Sequence, residues 1–140
     1  MTDMGLMSYF LGLEVNQLEN RIFLSQEHYA KEVVKRFKME ECNPISTTVD
    51  YGAKLSKNDE GKIIDSTLYR SLVGCLRYLT CTRPDILYGV GLVSRFMEEP
   101  KSTHWKAAKR ILRYIQGTLS LGLFYYHSNN FQLEGYSDSD

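Results

Sequence analysis

The chain has 140 residues, with seventeen basic and seventeen acidic side chains that cancel to a formal net charge of zero. The length fits one ordinary domain, and 43% hydrophobic residues is normal for a chain that buries a modest core. Overall neutrality excludes a histone-like binder of nucleic acid, and no apolar run approaches the length of a membrane span.

Residues 7–15, MSYFLGLEV, carry aromatic and β-branched content and read as a strand, with Gly12 marking a bulge or a close backbone approach. A polar turn over 16–21 leads to a short strand, RIFLS, so the two form a hairpin with a loop longer than two residues. Ser25 is placed to cap a helix from about Gln26 to Met39, with Tyr29, Val33 or Val34, and Phe37 facing a core. Residues 40–65 are rich in turn formers without a sustained period and read as a long loop or tether.

Asp65 or Ser66 caps the next helix, which runs to about Cys81 on a stripe of Leu68, Leu72, Cys75, Leu76 and Leu79. Gly74 in mid-helix costs about 1 kcal/mol against alanine, so close packing or a close-approaching partner is expected there. Arg70 and Arg77 lie on another side of this helix, one heptad apart. Pro84 suits the first turn of a helix over about 84–97, with Ile86, Val90, Val93 and Met97 on one face and Asp85 favourable at its N-terminus.

Residues 101–118, KSTHWKAAKRILRYIQGT, divide into two arcs. Trp105, Ala107, Ala108, Ile111, Leu112 and Ile115 share one side; Lys106, Lys109, Arg110 and Arg113 share the other, with no acid among them. Solvated helices normally mix signs for i,i+4 support, so a one-sign stripe backed by a core stripe suits a helix laid along phosphates. A wet, unpartnered face is the alternative reading. From Arg70 to Arg113 nine basic residues stand against three acids, a local excess of six positive charges. Two strands, 121–126 and 131–136, follow around a turn, HSNN.

Three cysteines without metal spacing read as reduced thiols of a soluble, intracellular protein, with the compartment left open. His28, His104 and His127 stand too far apart in sequence to suggest a metal site. The fold class is α+β: a thumb-like core of three or four helices with a β-hairpin at each end. Both ends read as cut from larger β structures.

Four segments, in order, resemble the reverse transcriptase region of copia-type retrotransposon Pol polyproteins. DMGLMSYFLGLEV is similar to the stretch following the polymerase active site. YRSLVGCLRYLTCTRPDILYGVGLVSRFM is similar to the thumb, and HWKAAKRILRYIQGT to the helix leading toward ribonuclease H. LEGYSDSD resembles the first ribonuclease H strand.

The resemblance implies three regions: 1–25 as the end of the palm with a primer-grip hairpin, 26–118 as thumb and connection, and 119–140 as connection strands entering ribonuclease H. It implies that Phe10, Leu11 and Gly12 lie in the hairpin that grips the primer terminus. It implies that Arg70, Gly74, Arg77, Lys106, Lys109, Arg110 and Arg113 track an RNA/DNA hybrid or duplex template–primer. Asp138 matches the first ribonuclease H carboxylate, a magnesium ligand in the intact parent. The sequence holds no adjacent Asp-Asp pair, which the polymerase of that family places before YFLG. The chain alone is therefore expected to hold no metal and catalyse nothing, to bind template–primer weakly, and to need the rest of the polyprotein. Two rival expectations are a stand-alone, weak nucleic-acid-binding module and a decayed transposon product without function.

Overall fold

Among the described residues, apolar side chains at helical spacing build four α-helices, and two tight turns fold the segment before them into a sheet. The computed structural model describes residues 8–126. The strand expected over 131–136, His127 and Asp138 lie outside the described residues.

The sheet holds β1 (Tyr9–Phe10), β2 (Leu13–Leu18), β3 (Arg21–Ser25) and β4 (Gly122–Tyr126), in that order and antiparallel throughout. The single strand expected over 7–15 is thus divided. Leu11 (φ 51°) and Gly12 (φ 80°) both occupy the left-handed region, the backbone that a two-residue hairpin turn requires. The pairing of Leu18 with Arg21 leaves Glu19 and Asn20 as a second two-residue turn, tighter than the expected loop. The two ends of the described chain meet in one sheet, because β4 lies along β3 with Phe124 opposite Phe23. Those two rings stand 4.6 Å apart.

The helices are α1 (Glu27–Arg36), α2 (Ser66–Leu79), α3 (Leu87–Val93) and α4 (Ser102–Gln116). Ser25 does not cap α1: it ends β3, and Gln26 takes the cap position without a side-chain cap bond. Gln26 is buried instead, receiving the Thr82 hydroxyl at 2.7 Å. α1 stops short of Met39 because Lys38 turns left-handed (φ 58°). Asp65 caps α2 as expected, accepting from the Thr67 amide at 2.9 Å. Leu68 is exposed, and Tyr69 and Val73 take the core positions, since the buried arc of α2 faces three other helices rather than one. The third helix is shorter than expected, with single 3₁₀ turns on both sides at Pro84–Ile86 and Ser94–Phe96. Pro84 sits in the first of these, where its missing N–H leaves no donor unsatisfied.

Val33 and Val34 of α1, Leu72, Leu76 and Leu79 of α2, Val90 and Val93 of α3, and Ile111, Leu112 and Ile115 of α4 meet in one buried cluster. Each such side chain contributes roughly 1.5–3 kcal/mol by leaving water. Residues 40–65 are an ordered strap rather than a tether. The strap runs antiparallel to α4, from Gln116 Nε2 on the Glu40 carbonyl (2.7 Å) to the Ser102 amide on the Lys62 carbonyl (2.8 Å).

Candidate nucleic-acid interface

The turn between β1 and β2 projects Phe10 and Leu11 into solvent, with Leu11 78% exposed. A leucine in the left-handed region carries a backbone cost of about 1–2 kcal/mol. The turn is held from below by α2: the Tyr78 hydroxyl donates to the Leu11 carbonyl at 2.7 Å. Gly12 is required there twice over. Its φ disfavours any side chain, and a Cβ would stand 2.5 Å from the Tyr78 hydroxyl oxygen. Tyr78 is steadied in turn by Tyr29, edge-on at 4.8 Å. Burial, with a bond to Cys75, raises the Tyr29 hydroxyl above the usual tyrosine range, so it stays protonated.

On the same helix Arg70, Gly74 and Arg77 are all exposed. The Arg70 Nε donates to the Met97 carbonyl at 3.0 Å, which fixes the side chain across the end of the third helical segment. No described atom lies within 4 Å of where a Cβ at Gly74 would stand, so of the two expected reasons for the glycine, close packing is not met among the described residues. Arg77 has no acceptor among the described residues. Beneath the hairpin, a cleft of about 570 Å³ is lined by Tyr9, Gly12, Glu14, His28, Tyr29, Glu32 and Tyr78. Its acids are engaged locally, Glu14 by the His28 amide (3.0 Å) and Glu32 by the His28 ring (3.2 Å).

The basic residues of α4 lie elsewhere, facing the strap and α3. Lys106 is exposed, whereas Lys109, Arg110 and Arg113 are half-buried. Arg113 Nε donates to the Asn43 carbonyl at 3.0 Å, and Arg110 Nη2 to the Thr47 hydroxyl at 2.8 Å. The structure therefore sets Leu11 and Gly12 against Tyr78, on the helix that also carries Gly74 and Arg77, and holds two of the four α4 cations under the strap.

Two polar centres that sequence reasoning missed fix these surfaces. His104 is fully buried, stacked on Phe96 with ring centroids 3.9 Å apart. Its Nδ1 accepts the Lys101 amide at 2.9 Å, so Nε2 carries the proton and donates to the Ser56 carbonyl at 2.8 Å. The second centre is Arg83, whose guanidinium is 3% exposed and grips both oxygens of Asp85 at 2.9 and 3.1 Å. It also donates to the Thr118 carbonyl at 2.9 Å, and Tyr114 donates to Asp85 at 2.7 Å. Burial opposes ionisation of Asp85, but the bonds from Arg83 and Tyr114 outweigh it and hold the carboxyl below its ordinary value of 3.8. The signal available in sequence was an arginine flanking Pro84 beside an acid, which reads only as a helix start.

Among the described residues no group of three or more histidine, cysteine or acidic side chains is placed to hold a metal ion. All three cysteines are free. No described helix is long and apolar enough to cross a membrane.

No protein-family model matches the chain, and no solved structure matches it significantly. Curated proteins do. The Pol polyproteins of transposons RE1 and RE2 from Arabidopsis thaliana are 42% and 39% identical over 132 residues, 94% of this chain. The chain is a homologue of copia-type Pol polyproteins. It spans 9% of the length of each of those two. It also aligns over its whole length, at 37% identity, with the uncharacterized mitochondrial protein AtMg00810 of Arabidopsis thaliana, covering 58% of that protein.

Proposed function

We propose that this segment serves a copia-type reverse transcriptase as the thumb and connection surface that holds template–primer. The observation that carries the reading is the exposed, strained turn at Leu11 and Gly12, pinned by Tyr78 beside Arg77 and the open surface at Gly74. Strained backbone that its surroundings over-determine clusters at functional sites. A glycine at the tip admits a sugar–phosphate backbone closely, and paired arginines one heptad apart can follow a strand of phosphates. Hybrid and A-form duplexes are read by shape and backbone, so a sequence-blind surface suffices. The homologues supply the context, since Pol polyproteins of the same type align with nearly the whole chain.

Polymerisation itself belongs, in this reading, to carboxylates elsewhere in a polyprotein. The chain has no adjacent Asp-Asp pair. The described residues offer no cluster that fits magnesium, and no catalytic step is assigned to them.

Fluorescence anisotropy with a labelled RNA/DNA hybrid tests the proposal. Binding should be weak and fall steeply between about 50 and 200 mM salt. Replacing Arg70 and Arg77 with alanine should flatten the slope by roughly one unit per lost phosphate contact. A response that is flat in salt, or unmoved by both substitutions, overturns it. A polymerase assay on a homopolymer template with divalent metal should show no incorporation by this chain alone.

A further inference from the structure

We propose that the cleft enclosed by α4, α3 and the strap binds a small amphipathic anion, a ring system carrying one acidic group. The cleft holds about 990 Å³, the size of a small-molecule site. Its apolar wall is made by Leu92, Val93, Phe96, Trp105 and Ile111, so two aromatic rings face a prospective ligand.

The rim is cationic. Lys54 and Arg95 join the four basic residues of α4, against three acids. Two of those acids are already engaged: Asp59 accepts from the Thr103 hydroxyl at 3.1 Å, and Asp50 from the Gly52 amide at 3.0 Å. Arg110 Nε is buried and has no hydrogen-bond partner among the described residues, although Nη2 of the same guanidinium is held by Thr47. Arg110 also lines the cleft, so its guanidinium adds to the positive charge that faces an occupant. A phosphate, sulfonate or carboxylate group matches the charge of that lining.

The strap decides the size of the occupant. It lies over Arg110 and Arg113 through Thr47 and Asn43, so a duplex cannot reach Arg110 unless the strap leaves. The cleft beside the strap has the volume for a small molecule with those bonds in place. The inference is independent of the template–primer reading and survives if hybrid binding fails.

Trp105 is the sole tryptophan and lines the cleft, which gives a built-in reporter. The full chain is titrated with 8-anilinonaphthalene-1-sulfonate, following energy transfer from Trp105, with isothermal titration calorimetry for stoichiometry. Saturable one-to-one binding is expected while the thermal transition stays cooperative. Arg110→Met keeps the stem and removes the donors, and should weaken binding at least about tenfold. Ala107→Phe should weaken it by filling the cleft. Competition by adenosine monophosphate assigns a phosphate ligand, and competition by benzoate alone assigns a carboxylate; inorganic phosphate should compete with neither efficiency. Non-saturable dye uptake, or affinity unchanged in both variants, overturns the proposal. So does displacement of the dye by an RNA/DNA hybrid, which would give the surface to nucleic acid.

Discussion

The Tyr78 hydroxyl and the Leu11 carbonyl meet at 2.7 Å across 67 residues of sequence, tying the tip of the first hairpin to the middle of the molecule. Gly12 lies under the same hydroxyl. The two positions are therefore coupled. Gly12→Ala should destabilise by about 1–2 kcal/mol, from its positive φ and from the clash with the hydroxyl. Tyr78→Phe should cost about 1 kcal/mol or less, one exposed neutral hydrogen bond. Because the phenylalanine removes the atom that the new methyl group meets, the double variant should cost less than the two singles together. Denaturant midpoints for the four proteins measure the coupling; strict additivity would show that the hydroxyl does not restrict position 12.

Asp85 gives the stability a defined response to acid. Its carboxyl titrates below 3.8 when folded. A depressed folded pKa means that its contribution is complete above the ordinary value and is lost as pH falls through the lowered one. Asp85→Asn keeps the shape and removes the charge facing the buried Arg83. At pH 7 it should cost about 2 kcal/mol, discounted because the Asp85 side chain is 33% exposed. The gap between the two proteins should hold constant down to about pH 5 and close below about pH 4. Urea titrations at stepped pH measure it. A gap that persists unchanged at pH 3 would mean that Asp85 does not titrate with folding.

Much of the fold was legible because it rests on local periodicity. The stripe of Leu72, Leu76 and Leu79 and that of Ile111, Leu112 and Ile115 name their helices, and Asp65 and Pro84 mark where two segments begin. The mixed α+β class follows from those helices and the aromatic strands around them. What was not legible depends on partners distant in sequence. Residues 40–65 carry no period of their own, since their order comes from bonds to Gln116, Arg113, Arg110 and His104. The turn at Leu11 was hidden because leucine is a poor signal for a left-handed residue. The stripe on α4 was visible, but not that the strap would take two of its guanidinium groups.

His104 anchors that strap, and its removal should be felt there first. His104→Ala deletes the ring stacked on Phe96, the acceptor for the Lys101 amide and the donor to Ser56. About 3 kcal/mol of destabilisation is expected from the cavity and the unpaired polar groups. Limited proteolysis should cut within 43–60 before it cuts the helices, and amide exchange should rise in that stretch. Uniform loss of protection through all four helices would place His104 in the global core instead.

Gly74→Ala separates stability from function by their opposite signs. In the interior of an exposed helix face, alanine is favoured over glycine by about 0.5–1 kcal/mol. No described atom within 4 Å opposes the new methyl group, so the variant should be more stable, with a raised melting temperature. A glycine at such a position, against its own helix propensity, points to something outside the fold. If a hybrid duplex lies across Arg70 and Arg77, its backbone passes over position 74, and the methyl group stands in the way. Affinity for the RNA/DNA hybrid should then fall several-fold while the salt slope is unchanged, because no phosphate contact is lost with the added carbon. Melting curves and anisotropy on the same samples read both effects. A stabilised variant with undiminished affinity would remove this face of α2 from the template–primer surface.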